Sequence, residues 1–363
     1  MFKDFYKNKK ILITGHTGFK GTWLTCWLLE LGADIVGVSN EIPTEPSMFV
    51  ELGIEKKISH NFIDIRDLKK ISDLILFEKP DIIFHLAAQA IVSESYHDPI
   101  KTVSTNVMGT INILESLKML DHKIKCVLIT SDKSYYNVEW PWGYKETDRL
   151  GGKDIYSGSK AAADILIESY FHTFLKDKSN VNLAVGRAGN VIGGGDWAKD
   201  RIIADCMRAW HKNEKVEIRS PKATRPWQHV LEPISGYLTL CMELNQKIDG
   251  EAFNFGPNSS MNINVLELIQ SIGKKWNKKP DEIYFISKNP TPFIESNLLK
   301  LNCDKALFYL QWESTLNFDL THQFVSDWYY KFYNNEVEMF DFTISQIKNF
   351  SAIASKKNLK WTN

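Results

Sequence analysis

The chain has 363 residues, 44% hydrophobic and 24% charged, the composition of an ordinary soluble globular protein. Its 44 Lys and Arg side chains balance 44 Asp and Glu, which argues against a broad nucleic-acid surface. No apolar run reaches membrane-spanning length, no signal-peptide core follows the basic segment 7–10, and the five cysteines (Cys26, Cys126, Cys206, Cys241, Cys303) lack metal-type spacing, so a metal-free cytoplasmic protein with reduced thiols is expected.

Residues 10–14 form a short apolar run of strand type, followed by Gly15, Gly18 and Gly21 at G-x-x-G-x-x-G spacing and by helical periodicity over 22–31. Gly15 suits a tight turn, Gly18 lets backbone approach a pyrophosphate, and Gly21 lets the helix pack on the strand. A pyrophosphate would sit at the positive end of that helix, with His16 and Lys20 facing phosphate or solvent. A glycine turn without ligand is the alternative, disfavoured by the strand before and the helix after.

The next strand, 34–39, leads into Ser39-Asn40-Glu41 with no base nearby, which favours NAD over NADP. A strand over 60–63 precedes Asp64, which either hydrogen-bonds an adenine amino group or caps a helix over 68–77. Strands over 81–85, 125–130 and 181–185 then alternate with helices over 99–120 and 155–176. This alternation predicts an α/β fold, a doubly wound parallel sheet with right-handed crossovers. Beyond about residue 189 the pattern turns mixed, with a long loop, a helix over 202–211 and a strand near 216–218. A cofactor domain over 1–188 and a mainly substrate-binding lobe over 189–363 follow, with the chain free to cross between them.

Chemistry gathers in two segments. One is Ile129-Thr130-Ser131-Asp132-Lys133-Ser134-Tyr135, which closes an apolar strand. The other is Tyr156, one helical turn before Lys160, so that both side chains lie on one helix face. A nearby ammonium and a nicotinamide charge are expected to lower the Tyr156 pKa, letting the phenolate take a hydroxyl proton as hydride leaves carbon. Ser131 would hydrogen-bond the same oxygen. A Y-x-x-x-K alone is usually an exposed helix face; its place after a glycine cradle and a polar strand end changes that reading.

The chain resembles the extended short-chain dehydrogenase/reductase family across essentially its whole length, and within it the CDP-glucose 4,6-dehydratases. The likeness is carried by Gly15-His16-Thr17-Gly18-Phe19-Lys20-Gly21, Pro43-Thr44-Glu45-Pro46-Ser47-Met48-Phe49, His85-Leu86-Ala87-Ala88-Gln89 and Thr130-Ser131-Asp132-Lys133. Two more selective runs are Arg187-Ala188-Gly189-Asn190-Val191-Ile192-Gly193-Gly194-Gly195-Asp196-Trp197 and Thr224-Arg225-Pro226-Trp227-Gln228-His229-Val230. The resemblance implies a Rossmann-type sheet with a smaller mixed α/β C-terminal lobe, and NAD held by Gly15, Thr17, Gly18, Phe19, Lys20, Gly21, Asp64, Ile65, Leu86, Ala87, Ala88, Tyr156 and Lys160.

It also implies an internal redox cycle, in which oxidation at C4 of a nucleotide-bound sugar is followed by loss of water across C5 and C6, for deoxysugar and surface-polysaccharide synthesis. Tyr156, Lys160 and Ser131 would serve oxidation. Where dTDP-glucose enzymes carry Asp-Glu, this chain has Asp132-Lys133, as CDP-glucose enzymes do. Asp132 suits the acid toward the C6 hydroxyl if burial raises its pKa, and Lys133 the C5 base if it is neutral. The plainer reading is that Lys133 only pairs with Asp132. Arg225, Arg201 and Arg187 are candidates for the substrate diphosphate, with Asn190, His85, Gln89, His229 and Trp197 as further substrate contacts.

Asn106 is read as satisfying a kinked backbone, and Trp140 and Trp142 as core, as aromatics usually are. Helix 155–176 carries a second apolar stripe (Ile165, Leu166, Tyr170, Phe171), which in this family helps form a four-helix dimer interface. A homodimer is implied, packing within the chain being the other reading. A sugar-nucleotide 4-epimerase or oxidoreductase on the same scaffold needs no Asp132-Lys133 pair, and a non-enzymatic NAD sensor needs neither Tyr156 nor Lys160.

Overall fold

The computed structural model describes residues 1–258, 263–276, 278–288 and 298–363. Seven strands build the central sheet: β1 (Lys10–Thr14), β2 (Asp34–Ser39), β3 (Ser59–Phe62), β4 (Ile82–His85), β5 (Ile124–Ile129), β6 (Val181–Ala188) and β7 (Ala252–Phe255). Their order is β7-β6-β5-β4-β1-β2-β3, and every neighbouring pair is parallel. The central strands are almost continuously apolar, as strands covered on both faces must be.

Alternate side chains feed two cores. Ile11 and Ile13 point to one, Leu12 to the other. The first is closed by α1 (Phe19–Glu30) and later helices of the chain, and the second by α2 (Leu68–Glu78), α3 (Gly109–Lys118) and α4 (Ile155–Tyr170). The order reverses between β1 and β4. Loops after these two strands diverge there, opening a crevice at the carboxyl ends where ligands bind in such sheets.

Three boundaries differ from the sequence pattern for identifiable reasons. Helix α1 begins at Phe19 rather than 22, because Gly18 is the extended cap residue and the end of the glycine loop is already the first turn. The helix expected over 99–120 is broken by a wide π-type turn at Ser104–Met108. There Asn106 receives the Gln89 backbone N–H (2.8 Å) and donates to the Gln89 carbonyl (3.1 Å) and to Ser159 Oγ (2.9 Å). Its amide thus supports an irregular backbone and also fastens the loop after β4 to α4. A second π-type turn, Phe171–Leu175, ends the helix that periodicity extended to 176.

Residues beyond 188 are not all lobe. Strand β7 returns to the sheet beside β6. The helices that follow the sheet's sixth strand include α5 (Ile202–His211), α6 (Leu231–Glu243), α7 (Phe318–Tyr333) and α8 (Met339–Lys356). Of these, α8 packs on α1, with Trp27 edge-on to Phe350 and to Trp361. The lobe proper is built from α5, α7 and short strand pairs, Val216–Ile218 with Tyr284–Ile286 and Thr224–Arg225 with Ile263–Asn264. The glycine run 193–195 owes its composition to packing: a Cβ on Gly194 would lie 2.0 Å from Trp328 Cγ.

Candidate active site

The glycine loop has the shape of a phosphate cradle. Gly15 adopts φ +77, and a Cβ there would strike the Ala87 nitrogen at 2.7 Å. A Cβ on Gly21 would lie 2.1 Å from the Gly15 carbonyl oxygen, so helix and loop touch directly. At Gly18 the nearest neighbour is 3.4 Å away, leaving the backbone open to a ligand. Thr17 pins the loop to the end of β2, its hydroxyl donating to the Glu41 carbonyl at 2.8 Å. After β4, the Leu86 and Ala87 amides are held by the Thr14 carbonyl (3.1 Å) and hydroxyl (3.2 Å). An open glycine cradle with Lys20 beside it fits the pyrophosphate of a dinucleotide.

Beside this cradle, Asp154 caps α4 by accepting from the Ser157 backbone (2.9 Å) and hydroxyl (2.7 Å), which fixes the turn carrying Tyr156. Tyr156 is 7% exposed, Lys160 6% and Asp132 2%. Ser131 joins the two candidate segments: its hydroxyl donates to Asp132 Oδ1 (3.1 Å), receives the Lys133 backbone N–H (3.2 Å) and reaches the Tyr156 phenol. Asp132 Oδ2 is buried without a partner among the described residues. A Cβ on Gly189 would come within 2.8 Å of it, so only glycine fits opposite this carboxylate.

Burial sets the electrostatics. It raises the Asp132 pKa against the opposing charges of Lys133, Lys20 and Arg225. It lowers that of Lys133, with Arg225 and Arg201 adding to the effect and Asp132 opposing it. Lys20 and Lys160 are each pushed down to about 8, mainly by burial; Arg201 and Lys160 add to the shift at Lys20, and Asp164 opposes it at Lys160. Burial also raises the Tyr156 phenol above its ordinary value. The neighbouring ammonium alone therefore does not bring the phenol below its ordinary value; the sequence reading expects that of the ammonium and a nicotinamide charge together. The charge that offsets burial here belongs to Arg201, followed by the hydrogen bond from Ser131. Lys20 and Arg225 thus face Asp132 and Arg201 faces Tyr156, a positive field suited to diphosphates.

Other candidates fall elsewhere. His85 is buried with both ring nitrogens engaged, by the hydroxyls of Thr14 (2.7 Å) and Thr110 (3.1 Å), so neither is left for a sugar. His229 is wholly buried edge-on to Trp23 and Phe324. Trp197 is a core residue among Trp328, Tyr329 and Phe332, its indole N–H given to the Tyr333 hydroxyl at 3.2 Å. Arg187 pairs with Asp164 inside the protein, which removes it from the phosphate candidates. The Gln89 amide is spent on the Ile91 backbone in its own loop and on the Thr102 hydroxyl of the helix that follows.

His16 faces neither phosphate nor solvent: buried under β2, it bonds His60 Nδ1 at 2.7 Å. Asp67, not Asp64, caps α2; Asp64 is paired with Arg66 and keeps a partly exposed edge. The Ile65 side chain packs on Gly109, and its carbonyl receives the Asn112 amide at 2.8 Å. Trp142 is 60% exposed and lies tilted against Trp140, so it is not core. Asn190, Arg201 and Arg225 are half-buried. Arg201 donates to the Ala90 carbonyl at 3.3 Å, and neighbouring Asp200 bridges Ser93 and Arg219, both at 2.7 Å.

Two residues of the neighbourhood are given no role of their own by the sequence reading. Thr130 and Asp164 touch at 2.8 Å behind the site. For Asp164 a signal existed: it lies eight residues after Tyr156, on the same face as Lys160.

A cradle for a dinucleotide beside a buried Ser/Tyr/Lys group on a parallel sheet defines a nucleotide-dependent member of the extended short-chain dehydrogenase/reductases. The chain belongs to the GDP-mannose 4,6 dehydratase family, whose model matches residues 12–323. It is 42% identical over 316 residues to a CDP-glucose 4,6-dehydratase of Salmonella typhimurium, covering 85% of this chain and 87% of that protein. The crystal structure of UDP-glucose 4-epimerase from Thermotoga maritima with UDP-glucose superposes with a TM-score of 0.76 at 22% identity, covering 89% of this chain and 99% of that one. That of dTDP-glucose 4,6-dehydratase from Bacillus anthracis with NAD gives 0.74 at 22% identity, covering 89% and 97%. These two likenesses establish the fold. The family uses NAD.

Proposed function

We propose that this chain is a sugar-nucleotide 4,6-dehydratase, a hydro-lyase that converts CDP-glucose to CDP-4-keto-6-deoxyglucose with resident NAD, for deoxysugar and lipopolysaccharide synthesis. One observation carries the reading most directly: burial moves Asp132 toward its protonated form and Lys133 toward its neutral form, the two states that elimination across C5 and C6 requires. An epimerase has no use for either.

NAD held at the cradle would supply a hydride acceptor at C4 and a hydride donor at C6. Tyr156, with Ser131 at its hydroxyl, takes the O4 proton. The C4 ketone acidifies the C5 proton, which Lys133 removes when it is in its neutral form, a form that burial favours. Asp132 protonates the departing C6 hydroxyl, its free Oδ2 being the oxygen available. Lys133 then gives its proton back to C5. Arg201 and Arg225 bind the diphosphate, with Asn190 adding an amide at the sugar end.

Purified protein should retain NAD and turn over without added oxidant, because a cofactor restored in every cycle has no reason to leave. Incubation with a panel of nucleotide-glucose substrates, followed by mass measurement, should show loss of one water, fastest with the cytidine compound. No nicotinamide in the denatured protein, together with a stoichiometric need for added NAD, would overturn the reading. A product of unchanged mass would favour an epimerase.

The same reading includes a homodimer. Ile100 (80% exposed), Val103 (42%) and Met108 (49%) lie beside Ile165 (48%) and Phe174 (46%) on adjacent helical segments, an apolar face larger than scattered surface residues account for. Phe171, which the sequence added to this stripe, is buried inward against Gly250. Sedimentation should give a dimer, and Ile100→Glu with Ile165→Glu a monomer; an unaltered mass in the double variant would exclude this face. Among the described residues no helix is long and apolar enough to cross a membrane. The five cysteines are free, four of them buried, in keeping with a place in the reducing cytoplasm.

A further inference from the structure

Behind the site lies a buried polar cluster that the reaction as described does not use. Asp164 follows Lys160 by one turn of α4, and its carboxylate receives a forked pair from Arg187, Nε to Oδ2 at 3.1 Å and Nη2 to Oδ1 at 2.9 Å. The side chains are 5% and 2% exposed. Asp164 Oδ2 also receives the Thr130 hydroxyl at 2.8 Å. Thr130 is the residue immediately before Ser131-Asp132-Lys133. The remaining guanidinium nitrogen of Arg187 donates to the Tyr135 hydroxyl (2.8 Å) and to the Glu146 carbonyl (3.0 Å), and Tyr135 in turn donates to Asn254 on β7 (2.8 Å).

We propose that Asp164 and Arg187 are a positioning pair that fixes the elimination segment, residues 130–135, against the helix carrying the oxidation couple. The fixing works at both ends of the segment. Thr130 is held at its start by Asp164, and Tyr135 at its finish by Arg187, so Asp132 and Lys133 span a bridge with two anchored ends. Both anchors converge on one turn of α4 next to Lys160. The two charges neutralise each other and accept or donate at nearly every available position, so the pair orders the site without adding a net charge to it. An ion pair whose only task was stability could be replaced by apolar residues of the same volume. Here the partners beyond the pair, Thr130 and Tyr135, bound the catalytic segment itself.

The proposal rests on the dehydratase reading and adds a consequence to it. Oxidation depends on Tyr156 and Lys160 within α4, with a single hydrogen bond from Ser131, whereas elimination depends on Asp132 and Lys133, both of which lie in the anchored segment. Loosening one anchor should therefore slow elimination more than oxidation.

Thr130→Val keeps the shape and removes only the hydroxyl, and Asp164 retains Arg187, so the fold should survive. Thr130→Ser keeps the hydroxyl and removes the methyl. With CDP-glucose and the holoenzyme, Thr130→Val should lose ten- to a hundredfold in kcat, the order expected for a small misplacement of reacting groups, with KM within about twofold. Reduced-nicotinamide absorbance should persist during turnover in that variant, because oxidation outruns loss of water. Thr130→Ser should restore kcat and remove the absorbance. Unchanged kcat in Thr130→Val, whatever its melting temperature, would reduce the pair to a structural role, as would an equal loss in both variants or a loss without the absorbance. Wild-type protein that releases no water would instead refute the dehydratase reading and leave the anchoring to be judged by the absorbance alone.

Discussion

Tyr156→Phe should lower turnover by about a hundredfold to ten-thousandfold, the usual worth of a positioned general base, while folding and NAD retention stay near native. The substitution deletes one oxygen. The ring of Tyr156 remains in its buried place on α4, held by the Asp154 cap, and the glycine cradle is untouched. What disappears is the group that takes the O4 proton. Burial raises the phenol, so at neutral pH the working phenolate is the minority form. Wild-type kcat should consequently rise with pH on its acid side, and the residual activity of Tyr156→Phe should lack that limb. Turnover in the variant within about threefold of wild type would remove Tyr156 from the chemistry.

The contrast between what the sequence discloses and what it hides follows from how each feature is encoded. Strands β1 and β2 match the apolar runs residue for residue, since a strand buried on both faces leaves a continuous apolar signature. The neighbours Tyr156 and Lys160 are legible as a pair because one helix turn joins them. Contacts between distant segments leave no such trace. His85, His229 and Trp197 sit inside motifs near the site, and sequence proximity made them substrate candidates. In the fold their side chains point inward, to Thr14 and Thr110, to Trp23 and Phe324, and to Trp328. A motif is shared by neighbours in the chain whether they face ligand or core.

Electrostatics are hidden for a similar reason. Nothing in the spacing of Lys20, Arg201 and Arg225 says that they lie near Asp132 and Lys133; only the fold brings these distant segments together. The same applies to Arg187. A lone arginine at a strand end suits a phosphate, and only the fold places Asp164 opposite it.

Asp132→Asn should separate the two halves of the reaction. Asparagine keeps the size and planarity of the side chain and can still meet Ser131, but it has no proton to give to the C6 hydroxyl. Wild-type Asp132 is poised to give one, because burial raises its pKa despite three nearby cations, and because Oδ2 has no partner among the described residues. Loss of water should fall by about a hundredfold to ten-thousandfold. Oxidation at C4 depends on Tyr156 and should continue, so the quenched variant should yield a 4-keto-glucose nucleotide that keeps its C6 oxygen, with persistent reduced-nicotinamide absorbance. In the native enzyme, deuterium placed at C4 should appear at C6, and reaction in heavy water should place deuterium at C5. A C4 label lost to solvent would rule out an internal hydride return. An Asp132→Asn variant that forms no ketone would move Asp132 into oxidation or substrate binding, because an acid needed only for elimination cannot be missed before the ketone exists.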